Sequence, residues 1–180
     1  FKSLLRDERA NVAVIGPGGG RSGAAAERLR AATLNALSMA GKTLVLDGDV
    51  FSVFKNDADT LFRHLSKHHI LTPHEGEFTR LFGEIKGSKV ERARAAARKA
   101  GAIVVLKGFD TVVAAPDGTT VVNTNGTPIL ATAGSGDVLA GLVAGFAAQG
   151  MPSFMAALAA VWLQADAARF YGPGLTAEEI

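Results

Sequence analysis

The chain has 180 residues, 48% hydrophobic and 20% charged, which predicts a packed globular core and excludes disorder throughout. Lys and Arg number 19 against 17 Asp and Glu, and the formal net charge of +2 is too small an excess to imply a nucleic-acid partner. There is no Cys, which excludes disulfides, thiolate catalysis and thiolate metal sites together and fits a reducing, cytoplasmic compartment.

The chain opens on Phe1 rather than Met, with a helical fragment over Phe1–Arg9. It reads as part of a longer polypeptide, and nothing at its start resembles a secretory signal. Asn11–Ile15 is a short apolar run that feeds Gly16-Pro17-Gly18-Gly19-Gly20, a buried strand followed by a glycine loop. Ser22 is placed to cap a helix rich in Ala, Leu, Arg and Glu that runs to about Ala40, with Gly41 as its stop. Thr43–Leu46 is a second strand, ending at the loop Asp47-Gly48-Asp49. Asp57 opens a helix to about Ser66. His69–Leu71 is a third strand, and Phe78–Phe82 a short helix.

Ser88 with Glu91 forms a capping-box pattern, and the helix behind it reaches Ala100 before Gly101. Ile103–Leu106 is a fourth buried strand. Thr111–Ala115 and Thr119–Asn123 flank Pro116-Asp117-Gly118, which predicts a β-hairpin. Helices follow from Gly134 to about Ala148 and from Ser153 to near Tyr171. The longest apolar run, Val138 to Ala148, falls well short of the ~20 residues that cross a bilayer, so no membrane partner is expected. Strands alternating with helices, then a hairpin, then two helices, predict one α/β unit. Its sheet should be mainly parallel, with helices on both faces and an antiparallel pair at one side.

Three segments carry residues suited to chemistry. In Gly134-Ser135-Gly136-Asp137, three small residues open a helix, so their N–H groups can converge on an anion. A carboxylate beside a merely bound phosphate would repel it. Beside a transferred phosphoryl group it can accept the proton of the attacking hydroxyl. The plainer alternative is an Asp that satisfies the helix start. Thr72-Pro73-His74-Glu75-Gly76-Glu77 follows a strand, where α/β proteins bind ligands, and offers an imidazole and carboxylates. The alternative is a solvated loop with helix-start acids. Lys107-Gly108-Phe109-Asp110-Thr111 also follows a strand and could hold a nucleotide, or be an ordinary connection.

Gly18-Gly19-Gly20-Arg21-Ser22-Gly23 matches a dinucleotide fingerprint, but a strand ending at Ile15 makes Gly16 the first glycine and puts Arg21 where the third belongs. The loop is read as a close-approach turn, for a ligand or for packing. Asp47 and Asp49 can face the same cleft. His64 and His68 lack a third ligand for zinc, and Gln164 and Asp166 are placed on the polar face of the last helix.

In this order the motifs resemble the ADP/ATP-dependent NAD(P)H-hydrate dehydratases of the ribokinase-like superfamily. The match is carried by Ile15-Gly16-Pro17-Gly18, Leu46-Asp47-Gly48-Asp49, Leu71 to Phe78, Lys107 to Thr111, Ala115 to Gly118 and Ala131 to Gly141. It spans about Asn11 to the end. Sugar and vitamin kinases tend to carry Asn where His74 stands. Four positions depart from the family's usual pattern: Gly48, Thr127, Ser135 and Gln164.

The resemblance implies a ribokinase-like three-layer α/β/α fold and the C-terminal portion of a dehydratase domain. It implies a lyase that repairs hydrated NADH or NADPH: ADP or ATP phosphorylates the C6 hydroxyl, and phosphate is then eliminated. It assigns Gly16, Gly18, Gly20, His74 and Asp137 to the hydrate, with Asp137 catalytic. Lys107, Gly108, Phe109, Asp110, Thr111, Gly134, Ser135 and Gly136 go to the nucleotide, and Glu77 to magnesium. A homo-oligomer is expected, and fusion to an epimerase domain in the full-length protein is consistent with it. The alternatives are a ribokinase-like vitamin-precursor kinase and an inactive nucleotide-binding fragment.

Overall fold

The computed structural model describes Asp7 and residues 9–180. The helix expected at the start of the chain lies, apart from Asp7 and Arg9, outside those residues. Six strands form one sheet in chain order: β1 (Val12–Ile15), β2 (Thr43–Leu46), β3 (Ile70–Leu71), β4 (Ile103–Leu106), β5 (Val112–Ala114) and β6 (Thr120–Val122). The first four are parallel, and the β4–β5 and β5–β6 pairings are antiparallel.

Strictly sequential order lets every crossover lie on one face. That face carries α1 (Gly23–Leu37), α2 (Asp49–Val53), α3 (Ala58–Phe62), α4 (Glu75–Phe82) and α5 (Lys89–Ala100). The other is covered by α6 (Ser135–Ala148) and α7 (Ser153–Tyr171). The strand period of two divides the apolar residues accordingly. Leu44, Leu46, Leu71, Val104 and Leu106 pack under the first layer, and Val45, Ile70, Ile103 and Val105 under the second. With both faces covered, β4 is apolar and buried at every position, which is why Ile103–Leu106 reads as an unbroken run rather than an alternation.

Several boundaries differ from the sequence reading. Helix α1 ends at Leu37, not near Ala40, and Gly41 is not its stop. The Ser38 hydroxyl donates to the Asn35 carbonyl at 2.8 Å and the Asn35 amide to the Ala31 carbonyl at 2.7 Å, local bonds that compete with continued helix. Ser22 precedes α1 without a side-chain capping bond. Helix α3 stops at Phe62, short of Ser66, because the chain tightens there: the N–H groups of His64 and Leu65 bond to the carbonyls of Leu61 and Phe62, three residues back. Helix α2 occupies a stretch that the sequence reading gives no element. Its apolar spacing, with Val50, Phe51 and Phe54 all fully buried, is the signal that marks it.

Helix α4 begins at Glu75, three residues before the expected Phe78, since His74 caps it. The capping box at Ser88–Glu91 and the left-handed Gly101 bound α5 as expected. The hairpin stands as read: the Gly118 N–H bonds to the Ala115 carbonyl at 3.0 Å, and Gly118 takes φ +98°.

Candidate active site

The C-terminal ends of the parallel strands deliver Gly16, Asp47, Thr72 and Lys107 to one edge of the sheet, and the start of α6 meets them there. Lys107 is the hub. Its Nζ lies 2.9 Å from Asp47 Oδ1 and 3.8 Å from Glu77 Oε2. Thr72 donates its hydroxyl to the same Asp47 oxygen at 2.8 Å. Asp47 is 2% exposed and Glu77 6%, so this is a half-buried cation held between two buried carboxylates.

His74 and Glu77 form a reciprocal cap. The ring Nδ1 accepts the N–H groups of Gly76 and Glu77 at 3.0 and 3.3 Å, while Glu77 Oε2 accepts the His74 N–H at 2.9 Å. An accepting Nδ1 places the ring proton on Nε2, which lies 3.5 Å from Glu77 Oε1 at the cleft. The imidazole is therefore oriented as a donor.

The glycine loop after β1 is fixed from β2's side. Asp49 accepts the Gly20 N–H at 2.9 Å and the Arg21 Nε–H at 2.5 Å. Burial pushes the Asp49 carboxyl up, but the Arg21 hydrogen bond, the Gly20 N–H and the Arg21 charge together hold it below the usual carboxylate range. Gly16, at φ +133°, approaches so closely that a Cβ there would lie 1.7 Å from the Asp47 carbonyl oxygen. Of the three glycines expected at the hydrate, only Gly18 lines the cleft. Gly16 packs on the Asp47 backbone, and Gly20 spends its N–H on Asp49.

Helix α6 opens at Gly134, in the left-handed region at φ +88°. Among the described residues the N–H groups of Gly136 and Asp137 have no acceptor, and the exposed Asp137 carboxylate makes no hydrogen bond. The helix-start reading of Asp137 thus has no bond behind it. Ser135 is engaged inward, its hydroxyl donating to the Leu130 carbonyl at 2.8 Å.

Two clefts, each of about 380 Å³, meet here. The polar one is lined by Gly18, Asp47, His74, Glu77 and Asp137, so His74 and Glu77 share a cleft with Asp137. The apolar one is lined by Gly108, Phe109, Thr111, Leu130, Leu139 and Gln164. Lys107 and Gly136 belong to both. A Cβ on Gly136 would lie 3.1 Å from Lys107 Nζ, so a glycine keeps that junction open. Asp110 stands apart from both clefts, its Oδ1 accepting from Lys89 at 2.7 Å; that bond holds its carboxyl below the usual range.

Gln164 corrects the sequence reading. It is buried, not on a polar face, and its Nε2 donates to the Ser135 carbonyl at 2.6 Å. Its place on the buried stripe Ala157, Ala160, Val161, Ala165, Ala168 was the available signal. The Asp47–Lys107 pair had none, since 60 residues separate its members.

No group of three His, Asp or Glu among the described residues forms a metal cage. Magnesium is usually held by one or two carboxylates, phosphate oxygens and water, and Glu77 Oε1, free of the helix cap, fits that lesser role.

Residues 2–172 match the family described as NAD(P)H-hydrate dehydratase. The chain belongs to that family. Similarity to the ADP-dependent (S)-NAD(P)H-hydrate dehydratase of Neisseria meningitidis serogroup B is 43% identity over 173 residues, 92% of this chain and 57% of that protein. The bifunctional NAD(P)H-hydrate repair enzyme Nnr of Salinibacter ruber is 40% identical over 168 residues, 92% of this chain and 30% of the relative. The chain thus spans from about a third to just over half of these relatives. Among solved structures, the ADP/ATP-dependent NAD(P)H-hydrate dehydratase of Bacillus subtilis, co-crystallized with ATP/Mg2+ and soaked with CoA, superposes with a TM-score of 0.75. Its identity is 28%, over 98% of this chain and 64% of that one. This NAD(P)H-hydrate dehydratase family member has the ribokinase-like α/β/α fold that its motifs implied.

Proposed function

We propose that the chain carries the reaction centre of an ADP- or ATP-dependent dehydratase acting on hydrated NADH and NADPH. One observation carries the reading: a polar and an apolar cleft meet at Lys107 and Gly136, beside a carboxylate with no other task. Such a junction suits phosphoryl transfer, with donor and acceptor entering from opposite sides.

In this reading the nucleotide base occupies the apolar cleft against Leu130 and Leu139, and Gly108, Phe109 and Thr111 line its approach. Thr111 donates to the Gly108 carbonyl and accepts the Gly108 N–H, which stiffens that turn. The terminal phosphate reaches the free N–H groups of Gly136 and Asp137 and the Lys107 ammonium. These donors are in place before charge develops, and Asp47 and Thr72 hold the ammonium at its post. Magnesium bound with the nucleotide would neutralise phosphate charge, with Glu77 meeting it directly or through water.

The hydrated nicotinamide lies in the polar cleft near Gly18, with the His74 Nε2–H as donor. Asp137 takes the proton of the C6 hydroxyl as its oxygen attacks the terminal phosphorus, and the donor nucleotide leaves with one phosphate fewer. Hydroxide is a poor leaving group and phosphate a good one. Loss of the C6–O bond with a ring proton then restores the dihydronicotinamide and releases phosphate. Roles for Gly16 and Gly20 are indirect here, as shapers of the loop, and Asp110 acts only by anchoring its turn to Lys89. The share of the relatives that the chain spans supports reading it as part of a dehydratase domain, and the bifunctional relative supports fusion of that domain to an epimerase in the full-length protein.

The test is recovery of NADH absorbance from its hydrate with ADP, with ATP and with neither. Nucleotide-dependent recovery is expected. Accumulation of a stable phosphate ester would replace this reading with the kinase. Nucleotide binding without turnover, in a protein that includes all of the family domain, would leave an inert binding module.

A further inference from the structure

We propose that Gln164 is a positioning residue for the phosphate-binding turn and, through its other amide atom, an acceptor for the nucleoside; this rests on the nucleotide reading of the apolar cleft. Gln164 is 6% exposed on α7, among Ala160, Val161, Ala165 and Ala168. An amide is costly to bury unless bonded, and its Nε2 donates to the Ser135 carbonyl at 2.6 Å. A carbonyl can only accept, so the nitrogen must face Ser135 and the orientation of the amide is settled. Oε1 then has no donor among the described residues, and Gln164 lines the apolar cleft. The cleft is thereby offered an unpartnered amide oxygen, an acceptor that matches a ribose hydroxyl or a purine amine.

The same bond bears on phosphate. Apart from the α6 ladder that residues 135–137 begin, the turn over residues 130–137 is bonded to itself and to Thr127 and Pro128 just before it: the Ser135 hydroxyl to Leu130, the Ser135 N–H to the Thr132 carbonyl at 3.3 Å, and the Val138 N–H to the Gly134 carbonyl at 3.1 Å. Among the described residues Gln164 supplies its one side-chain hydrogen bond from another element. That bond locks the turn to α7, and with it the aim of the Gly136 and Asp137 N–H groups. Binding by aimed N–H groups weakens when their frame loosens.

Two ligands separate the two tasks. ADP uses the acceptor and the turn, while adenosine uses the acceptor alone. ADP binding is measured by titration calorimetry and adenosine by ligand-observed NMR, on the chain and on Gln164→Met and Gln164→His. Met fills the space without polar atoms, and His restores a donor. For Gln164→Met, adenosine should weaken about threefold to tenfold and ADP by about a further tenfold, the scale of one hydrogen bond. For Gln164→His, the extra loss for ADP should largely disappear. Equal losses for both ligands would overturn the positioning role, and unchanged binding of both would overturn the whole inference. Should the unaltered chain bind no ADP, the nucleotide reading itself fails, a result distinct from either.

Discussion

Replacing Lys107 by Met tests the hub of the site. The ammonium is 16% exposed as a side chain, Asp47 3% and Glu77 8%. At 2.9 Å and an effective dielectric constant of ~20, the attraction to Asp47 alone is about 6 kcal/mol, most of which offsets the cost of desolvating both charges. Removing the cation keeps the desolvation and loses the attraction. Asp47 then has the Thr72 hydroxyl and little else, with Glu77 close by. Stranding one member of a buried pair costs roughly 3–5 kcal/mol, so Lys107→Met should lower unfolding stability by that amount. The cost lies in the stranded charge rather than the missing side chain. Asp47→Asn keeps an acceptor for Thr72 while removing that charge, and added to Lys107→Met it should recover about half the loss or more. Urea unfolding of the four proteins at pH 7.5, with equal m-values, gives the cycle directly. A Lys107→Met loss below about 1 kcal/mol, or additive losses in the double variant, would show a solvated pair and refute this account of the hub.

Asp137→Asn removes an exposed, unpartnered carboxylate, so stability should change by less than about 0.5 kcal/mol while turnover falls about 10²–10⁴-fold with ADP affinity equal or tighter; normal turnover would leave Asp137 no role as base. Gly16→Ala and Gly18→Ala separate sterics from backbone conformation. At Gly16 a Cβ would overlap the Asp47 carbonyl at 1.7 Å, whereas nothing lies within 4 Å of one at Gly18, so position 18 should cost about 1–2 kcal/mol and position 16 clearly more by thermal melting. His69, whose Nδ1 accepts the Leu44 N–H at 3.2 Å, is held down to about 4, first by burial and then by the His68 charge. The folded protein therefore binds fewer protons than the unfolded chain between pH 6.5 and 4, and up to about 3 kcal/mol of stability should be lost as pH falls through that window. Urea melts of His69→Asn, which keeps an acceptor for Leu44, should show a flatter acid limb, and an unchanged limb would point to other groups.

Short segments decide some things for themselves, and those could be read along the chain. Ile103–Leu106 is a strand because four large apolar residues in a row can be buried only between two layers. Ser88 and Glu91 begin a helix because both groups that bond the free N–H positions lie within one turn. The segments after β1, β2, β3 and β4 were legible for a related reason: each comes directly after a strand, and parallel strands deliver their C-terminal loops to a single edge, whereas the Gly134–Asp137 turn follows no strand and was read from its small residues at a helix start. Their motifs then carried the family. Tertiary structure decided the partners. Whether Gly16 served a ligand or packing depended on how near the Asp47 backbone comes, a distance set by β1–β2 pairing. Lys107 and Asp47 are 60 residues apart, and Gln164 and Ser135 29, so neither bond leaves a local trace. Gln164 looks like any polar residue on a helix until α7 is laid against α6. Only then does burial compel its amide to find the Ser135 carbonyl, because a buried polar group left unbonded costs more than the fold can spare.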